Sequence, residues 1–302
     1  MGYQEINVLI QVIQNLFSWF LGIIKLNKDF IIIHNKNKDN MTTPPTFLAK
    51  INPHPKDEFV TFQEEGHKYF INGINDGLIS VTGFVHQNFE HFDANGIADK
   101  LLKNTKKMCD PNYKYFGKTK EEMIEEWNEN GRIASELGTA LHADIENFYN
   151  QIKVENDSLE FQYFRKFVSD FPELVPYRTE WMVYDDTIKL TGSIDMVFEN
   201  PDGTLQIYDW KRSKGIEYES FGNKCSITPC LSHLPDTNFN HYSLQLNIYR
   251  KILQDKYDKI VTKLCLVILH PDHHEKTYEC IEVPIMDTEI EELFTLRKQQ
   301  IG

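Results

Sequence analysis

The sequence predicts an α/β domain in which a mixed central sheet is flanked by helices. Three observations lead to this prediction. Apolar runs predict three consecutive strands, two amphipathic helices enclose this block of strands, and a fourth strand follows the second helix. The strands are predicted at 178–184, 188–199, 204–211 and 263–270, and the helices at 132–150 and 241–253.

Local signals support the individual elements. The Pro-Asp-Gly turn at 201–203 separates the second and third strands. In the first helix, an apolar stripe is predicted to contain Ile133, Leu137, Leu141, Ile145 and Phe148. Three more elements are predicted: a hairpin from FVTF and KYFING, a short strand running into a helix at LISVTGFVHQNF, and a last helix near Thr288.

The chain divides into two parts. Residues 1–40 are predicted to form an apolar amphipathic extension with a polar linker, and residues 41–302 a single domain. Residues 6–24 carry no charge, but polar residues recur among them at helical spacing. The pattern predicts a helical N-terminal segment that contacts a membrane or a protein partner, and its length also fits a membrane span. A start of translation at Met41 is the remaining alternative.

Charge and cysteine content limit the possible functions. The 302 residues carry a net charge of −13, which excludes a protein that binds nucleic acid over its whole surface. Any contact with nucleic acid must therefore be local or bridged by cations. Five cysteines without a C-x-x-C pair argue against a zinc ribbon or a disulfide framework. We therefore expect a reducing intracellular compartment, cytoplasmic or nuclear.

Residues 100–120 contain seven lysines and a single acid, Asp110. One interpretation is a solvated helical surface. The other is a basic strip that binds phosphates. In the second case the nucleic-acid contacts are expected from Lys100, Lys103, Lys106 and Lys107.

Three charged residues lie in strands that otherwise look buried. Asp209 and Lys211 point to the same side of their strand because side chains alternate, and Asp195 lies on the neighbouring strand of the hairpin. Burying charge is costly unless the charge is paired or binds a metal. Two carboxylates and a lysine at this spacing suit metal-assisted phosphodiester cleavage, with Mg²⁺ or Mn²⁺ bound through oxygen.

The motifs G-S-I-D at 192–195 and I-Y-D-W-K at 207–211 resemble the PD-(D/E)xK nuclease superfamily. Its RecB-like exonuclease branch is more similar still, since GTALHADIE at 138–146 and SLQLNIY at 243–249 match two further helix motifs. ISVT at 79–82 resembles a motif of the mitochondrial genome maintenance exonucleases, whose order of elements the chain follows. Similar proteins occur in large DNA viruses, so a viral origin is one expectation.

The resemblance implies a restriction-endonuclease-like fold and a role for each matched residue. His142, Asp195, Asp209 and the Trp210 carbonyl would bind the metal, and Lys211 would be the catalytic lysine. Glu146 and Glu180 would act around the metal or through water, while Gln245 and Tyr249 would orient the lysine or the nucleic acid. Ser80 and Thr82 would contact a phosphate. The acid of the x-K motif is Asp209 instead of Glu, and the cysteines of an iron–sulfur cluster are absent, so no cluster is expected.

Simpler explanations exist for single residues. Ser80 and Thr82 could only cap the following helix, and Gln245 and Tyr249 could lie at the edge of the core. Taken together, the motifs predict a metal-dependent deoxyribonuclease of DNA repair or replication that degrades single-stranded ends. The alternatives are a structure-specific or flap endonuclease, a non-catalytic DNA-binding scaffold of the same fold, and a membrane-tethered adaptor that rests on residues 6–24 alone.

Overall fold

The computed structural model describes residues 46–302, which form a compact unit. The predicted helical segment at 6–24 and the linker that follows it lie outside the described residues. Within residues 46–302, no helix combines the length and the apolar character that a membrane crossing requires.

The strands of this unit form a two-stranded hairpin and a six-stranded mixed sheet. The strands are β1 (Val60–Gln63), β2 (Lys68–Ile71), β3 (Ile79–Ser80), β4 (Val175–Asp185), β5 (Leu190–Glu199), β6 (Leu205–Lys211), β7 (Val261–Ile268) and β8 (Glu279–Glu282). The helices are α1 (Phe47–Ile51), α2 (Val81–His86), α3 (Ala94–Lys103), α4 (Thr105–Met108), α5 (Lys120–Tyr149), α6 (Leu159–Asp170), α7 (Asn238–Lys256) and α8 (Asp287–Ile301).

Strand β5 is central to the large sheet. Antiparallel β4 pairs with it along its whole length. The other edge of β5 is shared by two strands that approach from opposite ends. Parallel β3 pairs at Leu190 and Thr191, and antiparallel β6 pairs from Glu199 as far as Met196. Residues 192–195 therefore lie where β3 and β6 separate, and we call this place the strand opening.

Helices cover both faces of the large sheet, which confirms the predicted architecture. Leu205 and Ile207 of β6 point to one face and belong to a core cluster with residues of α2, α7 and α8. Tyr208 and Trp210 point to the other face and belong to a cluster with residues of α5 and α6. This alternation follows from the two-residue period of a strand, and it leaves Asp209 and Lys211 on the α7 side.

Helix α5 differs from its prediction. It begins at Lys120 instead of Arg132, because Thr119 and Glu122 form a capping box at its N-terminus. The predicted apolar stripe is correct only for Leu141 and Ile145, which are buried, whereas Ile133 and Leu137 are 41% and 44% exposed. Helices α1 and α6 and strand β8 were not predicted, while the predicted strands, the hairpin and helix α7 are confirmed within a few residues.

Candidate metal and active site

The predicted acidic residues meet at the strand opening. Met196 and Tyr208 are the last paired residues of β5 and β6 on this side, and Asp195 directly precedes Met196 in the chain. The Asp195 carboxylate turns toward β6, where its Oδ2 accepts a hydrogen bond from the Trp210 backbone N–H at 3.0 Å. The sheet therefore holds Asp195 beside the strand that carries Asp209 and Lys211.

Helix α5 supplies His142. Its Nε2 lies 2.8 Å from the Trp210 carbonyl oxygen, and its Nδ1 lies 3.5 Å from Asp195 Oδ2 and 3.7 Å from Glu180 Oε1. One ligand atom each from His142, Glu180 and Asp195 lies within 4.8 Å of the others. An imidazole nitrogen and two carboxylates at this spacing can hold a divalent metal ion.

Glu180 reaches this cluster through an unusual backbone conformation. Its φ is +41°, in the left-handed region that a residue with a side chain rarely adopts. A conformation of this kind costs about 1–3 kcal/mol and persists only where the surrounding structure enforces it. Ser193 of β5 donates a hydrogen bond to Glu180 Oε2 at 2.8 Å, which fixes the carboxylate beside His142.

Asp209 and Lys211 form a buried pair on β6. Asp209 Oδ2 lies 2.8 Å from Lys211 Nζ, and the two side chains are 3% and 18% exposed. This oxygen nevertheless makes no hydrogen bond of normal geometry to the described residues. The short distance and the missing hydrogen bond are compatible, because the ammonium group lies close to the oxygen but in an unfavourable direction. Asp209, a predicted metal ligand, is not part of the group formed by His142, Glu180 and Asp195 and is paired with Lys211 instead.

Helix α7 holds the lysine from the other side of the opening. Lys211 Nζ donates to Gln245 Oε1 at 3.3 Å, and Gln245 Nε2 donates to Thr82 Oγ1 at 3.1 Å. Gln245 thus links the end of β6 to the start of α2, across the place where β6 and β3 separate. The ring of Tyr242 lies 4.6 Å from Lys211 Nζ, at the distance of a cation–π contact.

Tyr249 explains the glycine of G-S-I-D. A Cβ atom on Gly192 would lie only 2.6 Å from the Tyr249 hydroxyl oxygen. The phenol of Tyr249 therefore rests directly on the β5 backbone, and it is almost completely buried. Gly192 is required here for close approach, since any larger residue would displace the ring.

Electrostatic effects at the site oppose one another. Burial disfavours the charged imidazole of His142, but Asp195 and Glu180 together outweigh it and raise its pKa to about 9. Burial raises the pKa of Asp195 to about 7, with support from Asp209 and Glu180 and against the effect of His142. Glu146, one turn after His142, has a pKa of about 7 because of burial and the charge of Glu180.

Lys211 and Tyr249 keep their protons. Burial acts against the charge of Lys211, but the carboxylates of Asp209 and Asp195 overcome it and raise the pKa of the ammonium group. Burial raises the pKa of the Tyr249 phenol well above its usual value. At neutral pH the site therefore presents an ammonium ion and a neutral phenol beside the carboxylates.

Other predicted residues lie apart from this cluster or serve local structure. Ser80 caps α2, since its Oγ accepts the Gly83 N–H at 3.0 Å. The four lysines predicted to contact DNA are exposed on α3 and α4. Helix α3 packs against α5. Because a helix rises 1.5 Å per residue, the buried Met123 of α5 lies about 28 Å from His142.

Sequence reasoning missed Tyr242 and Ser193 and gave Glu180 a more distant position. Tyr242 precedes Gln245 by three residues on α7, and helical spacing could have indicated their shared face. Ser193 is part of G-S-I-D, but only the pairing of β4 with β5 brings it to Glu180. No local signal predicts the positive φ of Glu180.

Comparisons with known proteins add little to the site. No protein-family model matches the sequence, and no curated protein matches it. Among solved structures, the chain is similar to a protein from Eubacterium rectale described as a "putative exonuclease". The two share 10% identity with a TM-score of 0.26, over 52% of this chain and 70% of the other. A likeness at this level supports no conclusion about the function of this chain.

Proposed function

We propose that this chain is a divalent-metal-dependent DNA nuclease of the PD-(D/E)xK superfamily, in its RecB-like branch. The observation that supports this function best is that the pair His142–Asp195 and the pair Asp209–Lys211 lie side by side at the strand opening, where the Trp210 N–H between Asp209 and Lys211 binds Asp195. Asp195, Asp209 and Lys211 come from two consecutive strands, whereas His142 comes from a helix about 50 residues earlier in the chain. A cluster of buried charges at such a place is costly for folding, and a catalytic role accounts for that cost.

The donor set fits Mg²⁺ or Mn²⁺. The proposed ligands are His142, Asp195, Asp209 and the Trp210 carbonyl, with Glu180 as an additional or water-mediated ligand. The close group of His142, Glu180 and Asp195 supports this assignment, and carboxylate and carbonyl oxygens are the ligands that these hard cations prefer. When bound, the metal would lower the pKa of a water molecule and offset the negative charge of the phosphorane-like transition state.

Lys211 would position the attacking water and stabilise negative charge on the phosphate oxygens. It is suited to this role because it stays protonated and is held by Asp209, Gln245 and the Tyr242 ring. Tyr249 would support the backbone under the ligands through its contact with Gly192. Glu146 would accept or release a proton near neutral pH, since its pKa is about 7.

The proposed substrate is single-stranded DNA with a free end. The net charge of −13 makes broad capture of duplex DNA unfavourable, so a local basic track is needed. Lys100, Lys103, Lys106 and Lys107 would provide it, since all four are exposed. Their position near the N-terminal half of α5 would place the track along the helix that also carries His142.

The test compares linear and circular single-stranded DNA of the same sequence. The purified chain is incubated with each in Mg²⁺, and the products are resolved on a sequencing gel beside Lys211→Ala. We expect the linear strand to be degraded from an end, the closed circle to persist, and Lys211→Ala to be folded but inactive. Equal cleavage of circles would favour the endonuclease alternative. Binding without cleavage by the wild type would favour the non-catalytic scaffold, and a Lys211→Ala variant as active as the wild type would end the nuclease assignment.

A further inference from the structure

The β1–β2 hairpin carries an aromatic cluster on one face. Phe62 of β1 is paired directly with Tyr69 of β2, and their ring centroids are 4.7 Å apart. The His67 ring meets Phe62 edge to face at 4.8 Å. We call Phe62, His67 and Tyr69 the hairpin aromatics.

Successive residue pairs of the β1–β2 hairpin lie along strand β4. Val60 and Ile71, which pair with each other at its base, are buried with Tyr184 and Met182 of β4. Phe62 and Tyr69 form the next pair on the same face, toward the tip of the hairpin. On β4, the residue that continues the series of Tyr184 and Met182 is Glu180, a member of the metal cluster.

Electrostatics agree with this placement of Tyr69. Burial and, after it, the charges of Glu180 and Asp195 raise its pKa to about 12. Tyr69 also contributes to the raised pKa of Tyr249, whose phenol rests on Gly192. Tyr69 is buried in the cluster that joins the hairpin to β4, and Phe62 extends this aromatic surface outward with 36% of its area exposed.

We infer that the hairpin aromatics form a stacking subsite for one nucleobase of the DNA strand, next to the nucleotide whose phosphate is cleaved. The inference rests on the proposed function and adds a base-binding element to it. Phe62 is exposed, and its ring partner Tyr69 is close enough to Glu180 and Asp195 for their charges to affect it, so a strand with a phosphate at the acidic cluster would bring a neighbouring base toward Phe62. Aromatic rings bind single strands by stacking on bases of any sequence, so the subsite would add affinity without sequence preference.

The matched variants are Phe62→Leu and Phe59→Leu. Phe59 precedes β1 and is 40% exposed, so it controls for the loss of an exposed ring in the same region. Phe62→Trp keeps a ring that can stack and should retain binding. Thermal unfolding of all three variants checks that each is folded.

The assay measures binding of a fluorescent thymidine oligonucleotide by anisotropy, with Ca²⁺ in place of Mg²⁺. A second series of strands replaces one base at a time with an abasic nucleotide. We expect Phe62→Leu to weaken binding of the intact strand about 5-fold or more, and one abasic position to weaken wild-type binding similarly. That abasic position should cost Phe62→Leu nothing further, because the stacking partner is already lost.

Two results would overturn the subsite: intact-strand binding by Phe62→Leu equal to that of Phe59→Leu, or an abasic penalty that is unchanged in Phe62→Leu. Cleavage in Mg²⁺ is measured separately on the same proteins. A wild type that does not cleave, but shows the non-additive loss of binding, would refute the proposed nuclease activity and leave the subsite in place.

Discussion

The contact between Gly192 and Tyr249 allows a sharp test of how the site is built. In Gly192→Ala, the new methyl group would lie 2.6 Å from the Tyr249 hydroxyl oxygen, 2.9 Å from Cε1 and 3.2 Å from Cζ. The ring is 3% exposed and packed in the core, so it cannot move into solvent. Overpacking of this kind costs about 1–3 kcal/mol.

The expected result is a lower melting temperature, by about 2–4 °C for each kcal/mol in a domain of this size. Calorimetry or circular dichroism measures it. The shortest clash involves the hydroxyl group, so adding Tyr249→Phe to Gly192→Ala should recover part of the loss. The double-mutant cycle separates this relief from the cost of Tyr249→Phe alone.

Gly131→Ala is the matched control. Gly131 lies within helix α5, and a Cβ there would meet nothing within 4 Å. Replacing a glycine by alanine inside a helix should stabilise the protein by about 0.5–1 kcal/mol. The two substitutions should therefore change stability in opposite directions. A Gly192→Ala variant as stable as the wild type, or one that gains nothing from Tyr249→Phe, would refute the close-approach argument.

Three further predictions concern the charges of the site. Asp195→Asn should weaken Mn²⁺ binding in calorimetry. It should also lower the pKa of His142 below about 9 in a metal-free NMR titration, because the charge of Asp195 is the largest single effect that raises it, and an unchanged His142 titration would contradict this. Metal binding between pH 7 and 9 should release protons and strengthen as pH rises, since the metal-free protein holds a proton on His142 up to about pH 9 and the metal must displace it. Calorimetric titrations in buffers of different ionisation enthalpy measure this release, and a binding enthalpy that is the same in all buffers would argue against His142 as a ligand. Tyr242→Leu should lower kcat while Tyr242→Phe preserves it, because only the ring is needed for the cation–π contact with Lys211. Equal kcat values for the two variants would show that this contact does not contribute to catalysis.

Much of the fold was predictable because its signals are local. The alternating strands β4, β5 and β6 and the Pro-Asp-Gly turn between the last two are written in short runs of sequence. The same alternation correctly placed Asp209 and Lys211 on one side of β6, where they form an ion pair at 2.8 Å. The short loop between β5 and β6 brings Asp195 of β5 beside these two residues.

Helix α5 marks the limit of periodicity. Ile133 and Leu137 continue the spacing of Leu141 and Ile145, but only the last two meet the sheet. Periodicity states which residues share a face of the helix. It does not state where along its length another element covers that face.

The sequence alone determined the residue types of the site, the class of the fold and the side of the strand on which each charge lies. The tertiary structure alone decided which groups meet. Glu180 joins His142 through a left-handed backbone conformation, Gln245 links Lys211 to Thr82, and the β1–β2 hairpin packs against Tyr184 of β4. The physical reason is that propensity and periodicity act over a few residues, whereas these contacts depend on the pairing and packing of elements that are distant in the chain.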